Sequence, residues 1–191
     1  MIKNKLSDMV IKDTKVRGIY RGVVESVEDP LESGRVQCRI HGLHTLSPAL
    51  DIDERDGIPT EHLPWCDPAI PITEFGPDGS GIFGVPKVGS HVLIFFENEN
   101  LLNPIYFAAI PAKTEWNTKA TSDNFVIETS GGHYVEFDST SGSERIKVYH
   151  TAGTSVEIGS SGEISVISAG EVIITITGNC TISTTGVINL N

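Results

Sequence analysis

Beyond residue 150 the chain has no aromatic side chain. A globular core needs bulky residues to fill its centre, so this stretch cannot enclose one by itself. Basic residues are also scarce. Lys and Arg number 14 against 25 Asp and Glu, for a net charge of −11, and only two of the 14 follow residue 119. Attraction to a phosphate backbone depends on clustered positive charge and counterion release, which argues against general nucleic-acid binding. Cysteine is limited to Cys38, Cys66 and Cys180. That odd number, without metal-ligand spacing, fits free thiols acting as small apolar residues in a reducing cell. No apolar run approaches about 18 residues, so no membrane-spanning helix is expected. The opening MIKNKLSDMV is charged and has no continuous apolar stretch, which argues against a secretory signal.

What the C-terminal stretch does have is a period. Gly162, Gly170, Gly178 and Gly186 stand eight residues apart. Two and four residues after each comes an inward-type side chain: Ile164 and Val166, Val172 and Ile174, Cys180 and Ile182, Ile188 and Leu190. Alternation inside a short fixed period marks strands and turns, not a helix. Each strand offers one thin apolar stripe, which a single chain cannot close over but several chains wound together could. These residues, with Val156 and Ile158 upstream, are the expected shaft core, and the four glycines its turns. Thr175, Thr177, Thr181 and Ser183 fill the outward positions, as suits a solvated strand face.

The N-terminal part is built differently. Residues 1–14 are polar and read as an arm. From 15 to 111, short strands broken by Gly and Pro are expected at Gly18–Val27, Gly34–His41, Gly81–Val85, Gly89–Phe96 and Pro104–Ile110, with one long loop to Leu63. Five strands in under about a hundred residues fit a small closed barrel of the oligonucleotide/oligosaccharide-binding (OB) type. Within Arg35–Ile40 the alternation puts Val36, Cys38 and Ile40 inside and Arg35, Gln37 and Arg39 outside. Residues 112–124 are polar and aperiodic, a linker. From 125 to 191 further strands, at Phe125–Ile127, Tyr134–Phe137, Arg145–Tyr149 and Ser155–Ile158, lead into the regular repeat.

Several groups could be drawn as chemical sites. His41 and His44 with Cys38, His62 and Cys66 do not have the spacing of a known zinc ligand set, and ordinary barrel-edge residues are the simpler account. The run Gly76–Gly84 is rich in glycine but lacks the Gly-Lys-Ser/Thr ending of a phosphate cradle and no helix follows it. Asp51, Asp53, Glu54, Asp56 and Glu61 offer paired carboxylates, yet they lie in a polar loop without aromatic sugar platforms. Three Cys180 sulfurs meeting at an axis could hold a metal; a buried thiol is the plainer expectation. No nucleophile–base pair can be assembled, so no catalytic residue, metal or cofactor is expected.

The ordered blocks Gly22-Val-Val-Glu, Asp29-Pro-Leu-Glu-Ser-Gly34-Arg-Val-Gln-Cys-Arg-Ile-His-Gly-Leu-His44, Gly57-Ile-Pro-Thr-Glu-His-Leu-Pro-Trp65, Pro71-Ile-Thr73, Ser80-Gly-Ile and Val88-Gly-Ser-His-Val resemble the central spike proteins of contractile phage baseplate hubs. The spikes of type VI secretion systems are related to them. The resemblance covers residues 18–111 by motif and 125–191 by architecture. It implies an all-β homotrimer: three OB-fold barrels seated on the tail hub, followed by an intertwined triple-stranded β-helix ending in a needle. It also implies that Trp65 is a buried barrel residue. Some members carry a lysozyme domain between barrel and shaft. Here the short linker stands in that place, so hydrolase activity is not carried over. Others end in a His-x-His motif that binds iron, whereas no histidine follows His150 here, and a separate tip protein on the blunt end is the natural partner.

The expectation is therefore a structural, non-enzymatic spike in the tail baseplate of a virion, made in the host cytoplasm, that docks on the hub and pierces the host outer membrane. Two alternatives share the layout: a secretion-system or tail-like injection-machine spike that carries effectors, and an OB-fold ligand-binding module on a stalk.

Overall fold

The computed structural model describes residues 16–44, 57–71 and 79–188. The chain divides into two compact units, Met1–Trp116 and Asn117–Asn191. The N-terminal arm, the acidic residues from Asp51 to Asp56, the first three residues of the glycine-rich run (76–78), and Leu190 lie outside the described residues.

In the first unit five strands close a barrel: β1 (Tyr20–Ser26), β2 (Val36–Ile40), β3 (Trp65–Pro68), β4 (His91–Phe96) and β5 (Pro104–Ala109). Their order is β1-β2-β3-β5-β4, with β4 returning to β1. Among the described residues only β3 and β5 pair in parallel. This is an OB-like barrel. Alternation on β4 sends Val92, Ile94 and Phe96 inward, where they meet Val24, Val36, Cys38, Ile40, Cys66 and Tyr106. Irregular register between Val24 and Ser26, and between Leu93 and Ile94, gives the local bends that closure of so small a barrel needs. Gly22 is buried at a tight crossing. A Cβ there would lie 2.7 Å from Ile94 Cδ1 and 3.3 Å from the Arg39 carbonyl oxygen.

Three expectations for the barrel need correction. Gly81–Val85 forms no strand, and its residues are exposed. Gly81 sits at φ 153° and Gly84 and Pro86 follow, so the segment lacks the side chains and donors a ladder requires. The missing strand is β3 instead, whose flanking Pro64 and terminal Pro68 make it look like loop. Second, Gln37 and Arg39 do not face solvent. All five residues of β2 are buried, because the segment from Gly57 to Leu63 lies over its outer face. Third, Trp65 is only half-buried, with the Arg35 guanidinium 5.3 Å from its ring centroid.

The second unit is a five-stranded antiparallel meander in chain order: β6 (Asn124–Glu128), β7 (Tyr134–Asp138), β8 (Arg145–Tyr149), β9 (Ser155–Ile158) and β10 (Ile164–Ile167). Its four hairpins contain Gly132, Gly142, Gly153 and Gly162, all at positive φ. From 168 to 188 no described residue belongs to a strand. The single chain is thus all-β, a barrel and a one-layer sheet, with no α-helix among the described residues. Over 124–167 the strands of the single chain pair as hairpins, each turn being short enough to close locally.

Candidate functional surfaces

Cross-strand pairing aligns the apolar residues of the meander into two rows. One runs Phe125, Phe137, Ile146, Ile158, Ile164; the other runs Ile127, Val135, Val148, Val156, Val166. Residues directly opposite in an antiparallel pair share a face, so all ten lie on one side of the sheet. Nine are exposed and Val135 is half-buried. The shaft-core candidates Val156, Ile158, Ile164 and Val166 are brought together here. Phe125, Ile127, Val135, Phe137, Ile146 and Val148 belong to the same face and were missing from that set. Their signal was the same alternation, visible in Phe125-x-Ile127 and Ile146-x-Val148.

The opposite side is polar and internally paired. Glu136, buried on β7, accepts from Arg145 Nε at 2.8 Å and from Asn124 Nδ2 at 2.9 Å. Arg145 also reaches Asp138 at 3.3 Å, and Lys147 pairs with Glu157 at 2.9 Å. Lys119 lies 2.7 Å from Glu128 and 5.1 Å from the centroid of the Tyr134 ring, which stacks on Tyr149. The Arg145 hydrogen bond holds the Glu136 carboxyl below the usual carboxylate range. One side of the sheet has paired its charges, with Asn124 Oδ1 left buried and without a partner among the described residues, and the other has nothing to pack on. A fully buried aliphatic side chain contributes about 1.5–3 kcal/mol. Ten left half-covered forgo a sum comparable with the net stability of a whole domain, about 5–15 kcal/mol.

Downstream, Val172, Ile174, Ile182 and Ile188 are exposed, as is Cys180. Of the four repeat glycines, Gly162 turns a hairpin at φ 83°, whereas Gly170, Gly178 and Gly186 are not at positive φ.

On the barrel, Asp29 organises the loop between β1 and β2. It accepts from the Leu31 and Ser33 amides, the Ser33 hydroxyl, and Arg35 Nε and Nη2. The Arg35 bonds hold its carboxyl well below the usual range. Arg39 forms a fork on Glu25 at 2.6 and 2.9 Å and donates to the Ile58 carbonyl at 2.7 Å, while Thr60 Oγ1 donates to the same carboxylate. Burial alone would raise the Glu25 pKa; the Arg39 and Thr60 hydrogen bonds more than reverse it.

The zinc-like set is scattered. Cys38 and Cys66 are wholly buried in the barrel, His41 faces His91 at 6.4 Å, and His62 lies exposed on a 3-10 turn. His44 Nδ1 accepts the Ile40 amide, and burial lowers its pKa. Contact with Cys66, reinforced by burial, pushes the Cys38 thiol far up, so it is neither nucleophile nor ready ligand. Among the described residues no three metal-binding side chains gather, and no helix is long and apolar enough to cross a membrane. Glu61 is exposed, and Trp116 is 64% exposed.

Fold and surfaces together define an all-β protein with an OB-like barrel and an apolar sheet face awaiting a cover. No family model matches the chain. Over 62 residues it is 47% identical to the pre-baseplate central spike protein Gp5 of Enterobacteria phage T4. That stretch is 32% of this chain and only 10% of the phage protein. It supports a relation to a phage spike over a minority of the sequence.

Proposed function

We propose that the chain is a structural spike of a contractile phage tail, assembled as a homotrimer in the virion baseplate. The observation that carries this reading is the pair of apolar rows on the meander. Three copies of that face turned toward one axis would bury all ten residues of each chain and leave the ion-paired side in solvent. The number three comes from the eight-residue repeat, whose single stripe per strand suits a triple-stranded β-helix over 168–191, and from the likeness to the phage spike. On this reading the barrels dock on the hub and the shaft presses through the host outer membrane when the sheath contracts. The work is mechanical, without catalysis.

Light-scattering mass of the purified chain tests it. A mass of three times 20.6 kDa is expected. Twice that of one chain would mean two sheets packed face to face as a sandwich, and a monomer would overturn the spike reading. A trimer that co-purified with a soluble effector instead of tail proteins would favour the secretion-system alternative.

A further inference from the structure

The barrel carries a groove of about 730 Å3 between the β1–β2 loop and the segment after β3, lined by Glu32, Gly34, Pro68, Ile70, Phe83 and Val85 among others. Its size is that of a typical ligand site. Gly34 forms part of the floor, since a Cβ there would touch Pro68 Cγ and Val85 Cγ2 at 3.7 and 3.8 Å. Leu31 and Ile82, next in the chain to lining residues, are exposed, and contiguous exposed apolar surface marks contact sites.

The polar groups around it narrow the choice of occupant. Tyr106 donates its hydroxyl to the Gly34 carbonyl at 2.7 Å, and Ser33 donates its own to Asp29 at 2.8 Å. Both hydroxyls are therefore engaged within the barrel, which leaves little to bind a sugar. Glu32 differs: its carboxylate has no partner among the described residues. It sits at φ 50°, a conformation costly for a non-glycine residue, and its amide is held by the Asp29 carbonyl at 3.1 Å. The Asp29 hub thus holds the Glu32 backbone in place and so puts one negative charge at the rim of an apolar cleft. An anionic ligand is repelled there; a cation beside an apolar group is complementary.

We propose that this groove docks a segment of a partner protein that carries an apolar side chain next to a lysine or arginine. The inference rests on the reading of the barrel as the docking part of a spike, and adds where and with what chemistry it docks. The test titrates the full chain with the peptide acetyl-Gly-Leu-Pro-Leu-Lys-Gly-amide and with its counterpart bearing glutamate for lysine, followed by NMR shifts up to millimolar concentration. The lysine peptide should bind at least about tenfold more tightly. Glu32→Lys should reverse the preference, and Phe83→Ser should weaken both peptides, with melting temperature confirming that each variant is folded. Absence of binding, or binding indifferent to Glu32→Lys, would overturn the groove while leaving the trimer untouched. The docking reading fails separately if the peptides behave as expected but Glu32→Lys incorporates normally into tails.

Discussion

Single side chains at two carboxylate hubs of the barrel contribute to the acid response of this protein. Glu25 and Asp29 both have pKa values held below the ordinary range near 4. A carboxylate whose folded value is depressed contributes stability above its unfolded value and loses that contribution as pH falls through the folded one. Thermal melts should therefore decline gently as pH falls below about 6.5, where the buried His44 resists a proton that the unfolded chain takes up, and fall steeply below about 4. Glu25→Gln should flatten part of that fall; an unchanged profile would show that the Arg39 fork contributes nothing. Gly22 offers a second residue-scale test. Alanine would press on Ile94 and on the Arg39 carbonyl, and overpacking of this kind costs about 1–3 kcal/mol, read as a lower urea midpoint at unchanged slope. Neither hub could be found from spacing alone. Arg39 alternates like a solvent-facing residue, and only the long-range return of Gly57–Leu63 over β2 buries it. A period-two pattern reports one face of a strand and says nothing about what later covers the other.

At the scale of the element, the meander is where local pattern was most readable. Alternation placed its first four strands to within one or two residues, because each hairpin closes over a few residues around a glycine and side-chain parity fixes the face. In the barrel, strands formed where expected for β1, β2, β4 and β5, though parity on β2 named only its inner face, and β3 was missed because prolines mask a strand held by parallel pairing with distant β5. The meander also yields a sharp prediction. Val148 lies mid-row on an exposed face, 51% accessible in the single chain. Val148→Asp should therefore leave an isolated sheet nearly unaffected, since surface changes usually stay within about 0.5 kcal/mol. If three faces meet at an axis, it instead buries three like charges, and assembly should be lost. Analytical ultracentrifugation separates the outcomes: monomers for the variant beside wild-type trimers support a shared core, and an unperturbed trimer would place the interface elsewhere. Lys147→Ala, on the polar side, should keep the wild-type mass.

The whole molecule combines two parts that should hold together in different ways. Faces of preformed sheets can dock and separate without unfolding, so association through the meander alone would be reversible. Residues 168–188 differ: their apolar side chains are exposed and form no ladder within the chain, so their backbone donors and acceptors need partners from elsewhere. If three such tails wind together, no strand leaves without breaking many hydrogen bonds at once, and the assembly becomes kinetically stable. Val172→Asp or Ile174→Asp should then prevent the wound form. A chain ending at Ala169 isolates the two contributions. It should still trimerise at micromolar concentration through the meander faces, but dissociate on dilution and run as a monomer in detergent at room temperature. The full chain should stay trimeric under the same treatment and release monomers only after boiling. Equal resistance in both would assign the mechanical strength to the meander and leave the eight-residue repeat without the role given to it.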